Sequence, residues 1–190
     1  MELQYAIALL VAAIISAIVM WFSWKRRSAD GSIGLLLTMA AAFVWSLTYA
    51  IRWLSKDING QLFWLDATYF GVVVAPTAFL ILAFEITNRK HWLTRRNLIL
   101  LAIIPTLTLV FLWTDPWHGL FYNGMRTGEA ILNGGVWFWV NAVYSYLLIL
   151  IASLLLFIAS YRTKSLYRQQ NFIILIGMLL PAFSNLVSLV

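Results

Sequence analysis

The sequence predicts an all-α membrane protein, a polytopic bundle of six visible helices out of an expected seven. Three observations lead there. Of the 190 residues, 63% are hydrophobic and 11% charged, whereas a soluble domain carries about 25% charged residues. The apolar residues are gathered into runs near the roughly 20 that a helix needs to cross a hydrocarbon core about 30 Å thick. The basic residues lie in alternate connections: Lys25, Arg26 and Arg27; then Arg89, Lys90, Arg95 and Arg96; then Arg162, Lys164 and Arg168. Arg52, Lys56 and Arg126 complete the 13 Lys and Arg residues. Basic loops are retained in the cytoplasm during insertion, so the N-terminus is expected outside and the odd-numbered connections inside.

The expected spans run from about Leu3 to Trp24, Ser32 to Trp53, Leu62 to Phe84, Leu98 to Trp113, Val136 to Ser160 and Phe172 to Val190. Trp21, Trp24, Trp53, Trp64, Trp92, Trp113, Trp137 and Tyr161 fall near their ends, where amphipathic rings anchor at headgroup level. The start, Met-Glu-Leu, lacks the basic region of a secretory signal and reads as a retained first span. The net charge of +6 is a topology signal, and the polar surface of a nucleic-acid binder is missing. With no Cys, disulfides and thiolate metal sites are excluded.

Pro76, Pro105 and Pro181 fall inside spans. Each should kink or locally unwind its helix, which is tolerated where neighbours satisfy the freed carbonyls. Gly71 and Ala75, small residues four apart, suit close helix packing. The connection from Thr114 to Gly135 is the one sizeable loop, and its two β-prone runs around a Gly-containing turn predict an extracytoplasmic hairpin-like element. Six spans that begin outside also end outside, so a seventh is expected beyond Val190.

Polar groups inside a membrane are costly and mark candidate sites. Arg52 near the end of span two and Asp66 near the start of span three are expected to pair, either as a clamp between helices or as the polar anchor of a ligand pocket. Trp45, Tyr49 and Arg52 share one helical face, as do Asp66, Tyr69 and Val73, and Trp137, Asn141 and Tyr144. Ser184 and Asn185 lie in span six. The candidate ligand-binding set is therefore Trp45, Tyr49, Arg52, Asp66, Tyr69, Trp137, Asn141, Tyr144 and Asn185. Converging, these faces enclose an aromatic cavity in the outer half that suits a small amphipathic ligand; otherwise they are interhelical glue. Glu85 reads as a surface carboxylate beside Arg89 and Lys90. His91 and His118 lie on opposite sides of the membrane, and Asp115 with His118 is a weak metal signal. No catalytic set, metal site or cofactor motif is visible.

Several segments resemble, in order, the N-terminal seven-transmembrane sensor region of prokaryotic histidine kinases. They are Ala42 to Ala50; Phe63-Trp64, Tyr69-Phe70-Gly71 and Ala75-Pro76; Leu82 to Arg89; Trp92 to Arg96; Ile104-Pro105; Thr114 to Leu120; Phe138-Trp139; Tyr144-Ser145-Tyr146; Arg168-Gln169-Gln170; and Leu180-Pro181 with Asn185. The resemblance implies that residues 1–190 form a single transmembrane sensor domain of the inner membrane, non-catalytic itself, with cytoplasmic signalling domains beyond 190. It also implies a parent that is a dimeric protein histidine kinase of a two-component system. The partners then expected are the lipid bilayer, a small amphipathic or lipid-like ligand and a second copy, with no nucleic acid. Two other classes remain open: a transporter or permease, which predicts substrate flux, and a membrane scaffold that dimerises an output domain without binding a ligand.

Overall fold

The computed structural model describes residues 2–29, 31–123, 134–162, 173–177 and 179. Among them every regular element is helical and none is a strand. The elements are α1 (Glu2–Lys25), α2 (Ser32–Leu54), α3 (Ile58–Val72), α4 (Val74–Ile86), a 3₁₀ turn at Lys90–Trp92, α5 (Arg95–Trp113), the short α6 (Asp115–His118) and α7 (Val136–Arg162). Among the described residues, five segments are long and apolar enough to cross a membrane, with α3 and α4 forming one span from Ile58 to Ile86. The chain is thus a multi-pass membrane protein. The expected sixth span is helical over 173–177 and at 179; the rest of it lies outside the described residues, as do Pro181, Ser184, Asn185 and residues 124–133 of the hairpin-like loop.

The helices begin and end where local chemistry dictates. Asp57 caps α3 by accepting the Gly60 N–H at 2.6 Å, and Thr94 caps α5 by accepting that of Asn97 at 3.3 Å. α4 ends in a Schellman arrangement: Asn88 adopts a left-handed φ of 58°, Arg89 N–H donates to Phe84 C=O, and Asn88 N–H donates to Glu85 C=O.

The third span breaks at Val73, three residues before Pro76. Pro76 has no N–H for the Val72 carbonyl, so the helix loses its regular bond there. Val73 itself stays near helical values, φ −74° and ψ −25°, and donates to Tyr69 C=O; the span bends without coming apart.

α2 runs against both halves of this span. Gly71 faces the Ala41 carbonyl and Trp45, and Gly34 faces the backbone of Leu82; a Cβ would come within 2.5 Å of Ala41 O and 2.4 Å of Leu82 Cα respectively. Only glycine allows backbones this close. The approach at Gly34 brings Glu85 onto the first turn of α2, where its Oε2 accepts the Gly34 N–H at 2.7 Å. Glu85 is 6% exposed. It is therefore no surface carboxylate paired with Arg89 and Lys90, as its neighbours in sequence suggested. It satisfies one of the N–H groups that a helix start leaves open, and its charge opposes the helix dipole.

Because Gly34 meets Leu82, the basic turns Lys25–Arg27 and Arg89–Arg96 lie at the same end of the bundle, here called the Glu85 end. A cluster of Leu80, Ala83, Leu148, Ala152 and Leu156 packs α4 onto α7 on that side. A second cluster of Tyr69, Val73, Leu112, Phe121, Tyr122 and Phe138 fills the opposite, Tyr122 end.

Candidate functional site

The connection after α5 folds inward at the Tyr122 end. Asp115, 3% exposed, accepts the backbone N–H groups of Phe121 and Tyr122 on one carboxylate oxygen at 2.6 and 3.2 Å. Pro116 opens α6 and Gly119, at φ 62°, closes it. Leu120 N–H donates to His118 Nδ1 at 3.0 Å. That bond leaves Nε2 as the protonated ring nitrogen, donating at 2.8 Å to Thr114 Oγ1, which itself donates to Val110 C=O. Asp115 and His118 are thus bound to the loop's own groups. Leu120–Asn123 is turn and not the strand its composition predicted, because the two amides that a strand partner would take are held by Asp115. The loop is tied to the start of α7 through Gly135 N–H to Phe121 C=O and Trp137 N–H to Leu120 C=O.

This fold drives Phe121, fully buried, and Tyr122, 5% exposed, between α3, α5 and α7. Phe121 meets Tyr69 edge to face with ring centroids 5.1 Å apart. The Tyr122 hydroxyl donates to Asp66 Oδ1 at 2.8 Å. Asp66 is 4% exposed. A carboxyl group buried within a span requires hydrogen-bond partners, and Tyr122 supplies one.

The expected partner of Asp66 is placed elsewhere. The Arg52 guanidinium lies over the rings of Tyr49, at 5.4 Å, and Trp53, at 5.7 Å. Trp53 also stacks on Tyr5 of α1. Arg52 sits at the end of α2, where its head reaches beyond the apolar zone along an aromatic surface. Asp66 is about two turns into its own span and turns toward the Thr114–Asn123 loop. Depth separates them, and no Arg52–Asp66 ion pair forms.

The remaining predicted residues make a seam between α5 and α7. Trp137 Nε1–H donates to Thr108 Oγ1 at 3.1 Å, and Thr108 Oγ1 lies 3.3 Å from Asn141 Oδ1. The Tyr144 hydroxyl donates to the Leu101 carbonyl at 2.7 Å. Leu101 lies four residues before Pro105, so its carbonyl is the one that the proline leaves without an intrahelical donor. Trp45 packs at Gly71. The nine-residue set therefore separates into three groups: Trp45, Tyr49 and Arg52 on α2; Asp66 and Tyr69 on α3; Trp137, Asn141 and Tyr144 on α7. Asn185 lies outside the described residues. Among the described residues, Asp66 and Tyr69 meet at the inserted loop, whereas Trp137 and Asn141 meet at the buried Thr108.

Sequence reasoning missed the two residues that complete that centre, Phe121 and Tyr122. Asp115-Pro116 followed by Gly119 was the available signal, since an acid able to accept backbone N–H groups, a helix-opening proline and a terminating glycine spell a compact turn. Thr108 and Glu85 were missed because their partners, Asn141 with Trp137 and Gly34, are far away in sequence.

A multi-helix bundle, interrupted by a proline in its central span and carrying a buried carboxyl group under an inserted loop, is a membrane domain, with no catalytic constellation assembled among the described residues. The chain belongs to the family described as the N-terminal 7TM region of histidine kinase, whose profile matches residues 8–190. It is accordingly the non-catalytic sensor part of such kinases. No curated protein and no solved structure matches it.

Proposed function

We propose that this domain lies in the cell membrane with its Glu85 end in the cytoplasm, that it binds a small amphipathic molecule at the Tyr122 end, and that it relays binding to a dimeric two-component kinase. The observation that carries this reading is the Tyr122–Asp66 hydrogen bond at 2.8 Å. It ties an inserted loop to a carboxylate on α3, one helix segment away from the bend at Val73. A ligand with an amine or hydroxyl group takes the place of Tyr122 on Asp66, and its apolar part takes the place of Phe121 against Tyr69. Trp137 packs against the same aromatic cluster from α7. Displacing the loop changes what α3 packs against and so the bend angle passed to α4. A ligand shifts such a balance only through its differential affinity for the two arrangements.

The test uses the parent kinase in membrane vesicles, with autophosphorylation followed against stimulus concentration. Tyr122→Phe removes a competitor for Asp66 and should lower the half-maximal concentration roughly fivefold, the equivalent of one neutral hydrogen bond. Asp66→Asn should raise it. Dose–response curves that coincide with the wild type for both variants defeat the proposal.

A further inference from the structure

A groove of about 530 Å³ runs between α1 and α2, and its depth comes from small residues. Ala13 and Ala17 form its floor on α1, Leu10 and Trp21 mark its two ends, and Phe43 and Leu47 form the facing wall on α2. Every one of these side chains is apolar. Leu10 and Trp21 are eleven residues apart, which on a helix is about 16 Å. That is roughly half of a hydrocarbon core some 30 Å thick. The groove therefore has about the length of one leaflet; it starts near the middle of the bundle, at Leu10 and Leu47, and its Trp21 end opens toward the Glu85 end.

Its headgroup-level mouth is basic. The Lys25 ammonium sits 5.0 Å from the centre of the Trp21 ring, and the Arg27 guanidinium 5.2 Å from that of Trp24. Lys25, Arg26 and Arg27 are all exposed. The described carboxylate nearest in the fold, Glu85, is buried and committed to the Gly34 N–H. Asp30 is outside the described residues.

We propose that this groove is a binding site for an anionic phospholipid. One acyl chain lies along Ala13 and Ala17, Trp21 marks the glycerol level, and the phosphate meets Lys25, Arg26 and Arg27. The apolar walls accept any acyl chain; selectivity comes from the three cations. Each Lys or Arg at a membrane surface raises the preference for anionic lipid by about fivefold. The proposal requires only that the chain is inserted in a bilayer, and it stands apart from any ligand at the Tyr122 end.

The experiment places the 190-residue chain in phosphatidylcholine vesicles that contain a trace of lipid with a photoreactive diazirine on its acyl chain. The labelled lipid is phosphatidylglycerol in one arm and phosphatidylcholine in the other, and adducts are mapped by peptide mass spectrometry. Phosphatidylglycerol should label the Leu10–Trp21 segment at least about fivefold more than phosphatidylcholine does. Ala17→Phe fills the groove and should reduce that labelling to the level seen on the exposed side of α5. The double variant Lys25→Gln/Arg27→Gln, which leaves the groove wall intact, should lower the phosphatidylglycerol preference to what Arg26 alone supports. Equal labelling of the wild type by both lipids overturns the proposal. So does an unchanged phosphatidylglycerol preference in the double variant, whether or not Ala17→Phe inserts. Copy-to-copy cross-links through Ile14→Cys that abolish lipid labelling also overturn it, because a second chain then fills the groove.

Discussion

The Tyr144 hydroxyl donates to the Leu101 carbonyl, 2.7 Å away on a neighbouring helix, and so completes the backbone bonding that Pro105 interrupts. In lipid no water is at hand to do this. The proline in α5 and the tyrosine in α7 are one structural unit. Tyr144→Phe should cost about 1 kcal/mol, within the range of interhelical hydrogen bonds in membranes. In a Pro105→Ala background, where an N–H is restored to reach Leu101, the same change should cost almost nothing. Unfolding by denaturing detergent, run as a double-mutant cycle, measures both; equal costs in the two backgrounds would refute the coupling.

Asp115 holds the inserted loop through two amides. Asp115→Ala strands both and should destabilise by about 1–3 kcal/mol. Amide hydrogen exchange at Phe121 and Tyr122 should speed up with it. Asp115→Asn keeps an acceptor and should show a smaller change. Protection at those amides that is the same in Asp115→Ala as in the wild type would show that the carboxylate does not hold the loop.

Gly34 and Gly71 each face backbone, so an added methyl has nowhere to go. Gly34→Ala and Gly71→Ala should each cost about 1–3 kcal/mol through forced separation of α2 from α3 and α4. Gly177 meets no atom within 4 Å of an added Cβ and provides the control. Gly177→Ala should be neutral or stabilising by up to about 1 kcal/mol. Thermal unfolding in one detergent ranks all three; a Gly34→Ala protein as stable as Gly177→Ala would mean that the helices are further apart than described.

Glu85 should behave as a helix cap supplied from a neighbouring helix. Glu85→Gln retains the acceptor for Gly34 N–H but loses the charge–dipole term, worth about 0.3–2 kcal/mol. Glu85→Ala loses both. The expected order of stability is wild type, then Gln, then Ala, read from thermal unfolding. A wild-type melting temperature for Glu85→Ala, as a solvated surface carboxylate would give, runs against this role.

The helices were legible because the bilayer imposes one strong rule, an apolar run of sufficient length. Ser32, Trp113 and Val136 bound observed helices close to where hydropathy placed them. Pro76 and Pro105 were legible as perturbations, and the structure gives their form: a bend at Val73 in one case, and a borrowed donor from Tyr144 in the other. What sequence did not disclose is pairing across the bundle. Arg52 and Asp66 were joined by proximity in the chain and opposite charge, yet their depths differ, and depth is set by where each span starts. Glu85 was read from Arg89 and Lys90 beside it, whereas its partner is Gly34, visible only once two helices are known to touch. Tyr122 escaped because a residue in a polar-looking loop gives no local sign that the loop turns inward.

The two glycine contacts of α2 fall on opposite sides of the bend at Val73: Gly71 lies before it, and the Leu82 backbone that meets Gly34 lies after it. α2 is thus a splint laid across a joint. A change of angle at the joint cannot preserve both fixings, since each holds main chain against main chain with no pliable side chain between. The span is therefore confined to a few discrete postures rather than a graded range, and whichever fixing is weaker decides the direction in which it yields.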